Sequence, residues 1–554
     1  MKQIQRVVDL ISQKKFFEAD DLTKILLKKD QNNQDLIFLS GVIKANQKKF
    51  TEAAKLFEKF LAHTKDHFDG NLNLAGCYHE LGKFEKAILY YNKCIDLKSD
   101  VAEVYRRLAM CYRFKREYKK AIEIINQDPS LNNNKEALLL LGNIFREMGS
   151  FDEADVQFKK LLNIFPDFFD GKLAMAILEI DKGNLFVAKD QLKKLLSVTG
   201  LTLDNLFNIK IELARINMAE GDYQNAIKEY SELNKYKRNP SISYNLALCH
   251  LHLKNYEIGW SYHEDRINLN TFGLLRKRFF GFSKPVWETN RPKKNLLIWG
   301  EQGIGDVVLQ TQFIEGIRNE FSNLSLAVDK KLMTFFQKIY SEIQVLDIEN
   351  INDFNNYEYH LPTGSLGKNF QKNFNFSKLN NKKKYSCQNR DIPQKLKNLR
   401  CGISWNSTNK LFGHKKSIPL DKFSEIFKRN DLEFINLQYS FEIEEIQNLE
   451  KKLNKQIFLD HSIDCFNDID GVACLIQSCD FIITISNTNA HLSGKLGIKT
   501  FLLLPLNDGK LWYWGANSDN KIPWYPSIVP IRSKLENNWD DNILSLNNEI
   551  EKLL

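Results

Sequence analysis

The stretch "ISNTNAHLSGKLG", residues 485–497, follows the apolar run "CDFIIT" and precedes another, "IKTFLLLP". The first run reads as a buried strand, and the quoted residues as its turn into a helix. One capping oxygen is enough to start a helix, yet Ser486, Asn487, Thr488, Asn489 and His491 all stand at this junction. Surplus polarity at the carboxyl end of a strand is where open α/β sheets bind ligands. The free N–H groups of the helix that follows favour an anion there. Gly494 and Gly497 would let that helix pack closely on its neighbours.

Strands and helices alternate on both sides of this junction. Upstream, "NLLIWG", "LSLAV", "IQVL" and "YEYHL" are short β-rich runs separated by helical stretches. After the Lys/Asn-rich segment at 369–398 the pattern restarts with "RCGISW", "EFINLQ", "QIFL", "CDFIITI" and "TFLLLP". Such alternation implies parallel sheets. Two blocks split by a polar linker predict two Rossmann-like lobes facing a cleft.

Each block offers candidate chemistry. In "WGEQGIGDVVLQTQF" the glycines Gly300, Gly303 and Gly305 are spaced GxxGxG rather than GxGxxG, and no GK[ST] follows. That is a weak dinucleotide signal and not a P-loop. Asp306 stands at the start of the helix, either as a carboxylate favoured by the helix dipole or as a base for an acceptor hydroxyl. In the second block, "CGISWNSTNKLFGHKKSIPL" carries Ser407, Thr408, His414, Lys415 and Lys416 in a loop after a strand, before Pro419 opens a helix. Lysines there suit a diphosphate; a solvated loop is the alternative. Gln438 ends the strand in "FINLQYS" and offers an amide to a base or sugar edge. His491 reads as a core histidine or as a phosphate or sugar contact.

The first half of the chain repeats. An aromatic residue or leucine precedes a small residue by three positions at Phe16/Ala19, Phe50/Ala53, Phe84/Ala87, Tyr118/Ala121, Phe151/Ala154, Leu185/Ala188, Tyr223/Ala226 and Tyr256/Gly259. The first four are 34 residues apart, and later steps are 33, 34, 38 and 33. This period resembles the tetratricopeptide repeat, whose helix–turn–helix units stack into an α-solenoid with a concave groove for a protein or peptide.

Composition narrows the remaining classes. The chain has 554 residues, 43% of them hydrophobic, and a formal charge of +9. It contains no apolar run long enough for a membrane span, no signal peptide and no nucleic-acid signature. Nine scattered cysteines without a CxxC pair imply reduced thiols and no zinc site. "DID", residues 468–470, opens a helix and reads as a cap, not as a metal-binding pair. A cytoplasmic location is the expectation.

Taken together, "GEQGIGD", "GISW…KKSIPL", "LQYS", the stretch from Cys479 to Pro505 and "WYW…PWYPSI" resemble bacterial glycosyltransferases joined to tetratricopeptide repeats. These are related to the heptosyltransferases and, more distantly, to the O-linked N-acetylglucosamine transferases. The resemblance implies a GT-B fold and a nucleotide-diphosphate sugar as donor. It further implies inversion, with neither a metal nor another cofactor. It places Asp306, after Gly303 and Gly305, as the catalytic base and Lys416 on the diphosphate. Asn487, Thr488 and His491 fall in the donor loop, with Ser407, Gln438, Ser486 and Asn489 as further donor contacts. Two positions depart from the heptosyltransferase pattern: Ser486 replaces an aspartate and Gln312 a proline, so a heptose donor is not implied. "GKLWYWG" and "PWYPS" are expected to wall the cleft. The expected domains are a solenoid over 1–268, a connector over 269–292, a first (acceptor) lobe over 293–390 and a second (donor) lobe over 391–554. The expected activity is sugar transfer to a protein or glycan acceptor, with the repeat groove as the expected place to hold it. The alternative is a non-catalytic scaffold that retains the transferase fold.

Overall fold

A computed structural model describes residues 2–269, 284–351, 353–373, 385–387, 398–409, 412–506, 509–515, 519, 521–535 and 538–553. Most of the expected connector and of the polar linker lies outside the described residues. The chain folds as two compact units, Met1–Leu178 and Glu179–Leu554.

Helix pairs of the predicted period build the first unit, for example Phe50–Leu61 with Phe68–Glu80 and Lys135–Met148 with Phe151–Ile164. The small residue of each motif is where helices touch: Ala19, Ala53, Ala87, Ala121 and Ala154 are all fully buried. Gly41 and Gly142 lie so close to the rings of Phe57 and Phe158 that a β-carbon would collide with them. Asn33 and Asn134 cap the first helices of their repeats with side-chain oxygens. Between the helices of a repeat the backbone turns left-handed, at Gly82 (φ 66°) and Gly149 (φ 77°). Lys48 and Arg116 take the same conformation without a glycine, each at φ 60°.

The second unit holds the remaining repeats and two all-parallel sheets. In the first, β1 (Asn295–Trp299), β2 (Asn323–Val328), β3 (Gln344–Asp347) and β4 (Tyr359–Pro362) lie in the order β3-β2-β1-β4. The second comprises β5 (Leu399–Ser404), β6 (Leu432–Asn436), β7 (Ile457–Phe458), β8 (Phe481–Ile485), β9 (Lys499–Leu504) and β10 (Ile528–Arg532), ordered β10-β9-β8-β5-β6-β7. Nine of these strands coincide with the apolar runs read from sequence. The tenth, β10, contains Pro530 and did not read as a strand; it is tolerated because β10 is an edge. Strand order reverses between β1 and β4 in one sheet and between β5 and β8 in the other. Open sheets bind ligands at such reversals.

The division between the compact units falls within the repeats, after Leu178. Trp260, in the last repeat helix Tyr256–His263, is 2% exposed and belongs to the core that covers the first sheet. Its ring occupies the space a side chain would need at Gly367 and meets Trp512 edge-on at 5.3 Å. The all-reduced cysteine reading is also corrected: Cys387 is disulfide-bonded to Cys474, 87 residues away, and the other seven are free. No spacing rule reaches a pair so distant in sequence. Among the described residues, no helix is long and apolar enough to cross a membrane.

Trp260→Ala should lower the stability of the second unit by about 3–5 kcal/mol, read as a lower urea midpoint. A change below about 1 kcal/mol would show that the last repeat is not part of this core.

Candidate functional site

Both strand-order reversals deliver their loops to one place. The helix Ile304–Gln310, which follows β1, packs on Thr488–Leu496, which follows β8, and Gly305 is the point of contact. A β-carbon on Gly305 would stand 2.6 Å from His491 Cδ2, so only glycine fits.

Asp306 occupies the third position of its helix, after the N-cap Gly303. Its carboxylate accepts hydrogen bonds from the Gly303 N–H and from its own N–H, as a helix-start acid does. Burial nevertheless raises its pKa to about 6, against the opposing pull of the Lys416 ammonium and with a further push from Glu301. Asp306 and Lys416 thus lie close enough for each to feel the other's charge.

Lys416 leaves a tight turn in which the N–H groups of Lys416 and Ser417 both donate to the Gly413 carbonyl. Gly413 faces the carbonyls of Ser407 and Asn409 at a distance that excludes any side chain. Ser417 Oγ donates to Asn406 and accepts from the Ser407 N–H at 3.0 Å, which closes the loop. Lys416 is only 9% exposed, and its ammonium makes no hydrogen bond or ion pair among the described residues. Burial lowers its pKa and Asp306 opposes that shift. A buried ammonium without a partner is costly; an anion would satisfy it.

The polar residues that opened the sequence reading divide into two groups. Asn487 caps its helix, accepting from the Asn489 N–H, and also bonds Thr484 and Ser404 across the junction of β8 with β5. Asn489 Nδ2 donates to the Leu437 carbonyl at 2.8 Å. Ser486 Oγ accepts from Trp514 Nε1 at 2.8 Å. Gln438 is wholly buried: its amide oxygen accepts from the Trp405 and Asn406 N–H groups, and its amide nitrogen donates to backbone carbonyls. These four side chains hold the loops in place. Thr488 and Ser407, by contrast, are half-buried, and neither hydroxyl makes a side-chain hydrogen bond among the described residues. His491 is buried, its Nδ1 lies 3.0 Å from the Tyr525 hydroxyl, and burial with the nearby Lys416 lowers its pKa to about 3. It is a neutral imidazole at physiological pH.

Among the residues near Asp306, Tyr513 and Tyr525 belong to the aromatic segments "GKLWYWG" and "PWYPS", whereas sequence reasoning missed Tyr244. Tyr513 packs against His491 at 5.0 Å and, like Tyr525 and Tyr244, feels the charge of Asp306. Tyr244 comes from the last repeats and passed as a repeat residue, because the period says nothing about what a helix faces. A cavity of about 230 Å³ opens beyond the ends of β6 and β7, lined by Tyr439, Phe441, His461, Ile463 and Phe466 among others. No compact motif announces it. Among the described residues, no group of three His, Cys, Asp or Glu side chains could hold a metal ion.

Comparison with known proteins supports the repeats. Tetratricopeptide-repeat family models match residues 45–93, 136–167 and 211–257. The "Protein FlbA" of Caulobacter vibrioides is 21% identical over 95% of this chain and 86% of its own length. The "BBSome complex member BBS4" of Bos taurus is 24% identical over 40% of this chain, which spans 42% of that protein. A tetratricopeptide repeat protein of Parabacteroides merdae superposes with a TM-score of 0.41 at 20% identity, covering 45% of this chain and 97% of its own.

The raised Asp306 carboxyl makes a stability statement with a definite sign. A group whose folded pKa is above its unfolded one stabilises fully below the unfolded pKa and loses that contribution as pH rises through the folded pKa. Wild type should therefore lose about 3 kcal/mol relative to Asp306→Asn as pH rises from about 4 to above 6. Thermal melts across pH check this; a difference between the two proteins that stays constant across that range would contradict it.

Proposed function

We propose that this chain is a glycosyltransferase of GT-B architecture, moving a sugar from a nucleotide-diphosphate sugar to an acceptor hydroxyl with inversion. The observation that carries the reading is a helix-start carboxyl facing a buried ammonium that has no hydrogen-bond or ion-pair partner among the described residues, at the two strand-order reversals.

The donor's diphosphate lies on Lys416, the Ser407 and Thr488 hydroxyls and the N-terminal N–H groups of the Thr488 helix. These groups stabilise negative charge as it grows on the leaving group. The nucleoside extends into the cavity beside Tyr439, Phe441 and Phe466. Neutral His491 contributes shape and a ring nitrogen rather than charge. Asp306 belongs to the opposite sheet, so an acceptor oxygen held by it attacks the anomeric carbon on the face away from the diphosphate. That geometry inverts the anomeric centre. The proton of the acceptor hydroxyl passes to Asp306, whose pKa near neutrality suits a general base. Lys416 supplies positive charge at the diphosphate from the protein itself. The repeats recruit the protein or glycan that carries the acceptor hydroxyl.

The test is release of nucleoside diphosphate from a panel of nucleotide sugars by the purified full chain. Turnover is expected with one nucleotide class, rising with pH through an inflection near 6. Asp306→Asn should lose about 10²–10⁴-fold in rate while still binding the nucleoside diphosphate. Lys416→Ala should lose that binding. Nucleotide binding without turnover, or no response to any nucleotide, would favour a scaffold that keeps only the fold.

A further inference from the structure

The side chain of Glu301, just beyond the end of β1, is completely buried, and its two carboxylate oxygens differ in their surroundings. Its Oε1 accepts from Arg266 Nε at 3.0 Å, from Arg266 Nη2 at 2.5 Å and from the Gly364 N–H at 2.7 Å. Its Oε2 has no hydrogen-bond partner among the described residues. Arg266 is also completely buried and lies in the turn Glu264–Asn268 that closes the last repeat. Its other edge is held by Glu264 Oε1 at 2.9 Å and the His263 carbonyl at 3.2 Å, and Nη2 also reaches Ser365 Oγ at 3.0 Å. Gly364 and Ser365 follow β4, and a β-carbon on Gly364 would overlap both Glu301 and the guanidinium. One arginine of the last repeat therefore grips the loops after both strands that flank the first reversal, where Asp306 sits.

A buried ion pair is weak evidence for stability, since apolar residues of similar volume often do as well. A charge kept here needs another reason. We propose that Glu301 and Arg266 are positioning residues through which the last repeat holds the Gly300–Asp306 loop and sets the charge state of Asp306. The inference rests on Asp306 being the base of the proposed reaction. Glu301 is the negative charge that works against ionisation of Asp306. The other groups facing Asp306 are Lys416 from the loop after β5, Tyr244 from the repeats, and Tyr513 and Tyr525 from beyond β9. His491, across Gly305, is neutral. Glu301 thus keeps the carboxyl basic against the pull of Lys416, and Arg266 keeps Glu301 in place.

The experiment compares full-length Glu301→Gln and Glu264→Gln. Each removes one carboxylate from the same guanidinium, but only Glu301 acts on Asp306. For each, the melting temperature is measured against pH with and without Asp306→Asn, and the pH above which the difference between the two curves stops growing is the inflection that reports Asp306 in the folded protein. Glu301→Gln should move that inflection down by about half a unit to one unit, and Glu264→Gln should leave it in place. Any other pattern overturns the proposal, including equal shifts in both, which a merely structural role would give. If Glu301→Gln does not fold, Arg266→Gln/Glu301→Gln replaces it with the same expected downward shift, because Glu301 is the partner of that pair whose charge bears on Asp306. This readout needs no sugar transfer, so it stands or falls separately from the proposed activity; where turnover is found, the acid limb of kcat/KM should follow the same shift.

Discussion

The site depends on the close approach of one glycine to one histidine. Gly305 lies against the His491 ring, and no side chain larger than hydrogen fits between them. This contact joins the helix after β1 to the helix after β8, and so joins the reversal points of two separate sheets. Asp306 follows Gly305 directly, and His491 lies in the first turn of the helix capped by Asn487. Lys416 reaches the same space from the loop after β5. Move the helices apart by the width of a methyl group, and the carboxyl and the ammonium no longer share one field.

Around that contact the protein combines groups whose preferences conflict. Burial pushes Asp306 toward its neutral form and Lys416 toward its own, while each favours the charged form of the other. Glu301 adds a second buried carboxylate, balanced by Arg266 from the repeats. Natural chains keep such costly arrangements mainly where chemistry or binding uses them. The surrounding aromatic shell of Tyr513, Trp514 and Tyr525 holds the histidine and excludes water from its faces.

Much of this was legible in the sequence, for physical reasons that differ by element. The helical repeats announced themselves because each must bury a small residue at the same position, and Ala53 or Ala87 cannot be replaced without opening a helix pair. Strands β1, β5, β8 and β9 were legible because a strand buried on both faces must be apolar throughout. β10 was not, because an edge admits Pro530. Surplus polarity falls at the reversal beside β8, but polarity alone could not tell Thr488, whose hydroxyl makes no side-chain hydrogen bond among the described residues, from Asn487 and Asn489, which bond the loops around them. Gln438 misled in the same way: a buried amide at a strand end looks identical in sequence whether it faces a ligand or a loop. Arg266, Glu301 and Tyr244 were illegible because their roles arise from the packing of the last repeat on the first sheet, between segments far apart in sequence.

The central claim is that an anion belongs between Lys416 and the start of the Thr488 helix, opposite Asp306. A crystal structure of the full chain with a bound nucleoside diphosphate tests it most directly. The account places phosphate oxygens within hydrogen-bond distance of Lys416 Nζ and the Thr488 N–H, with the base in the cavity beside Tyr439. A nucleotide seated elsewhere, with Lys416 still unpaired, would contradict it.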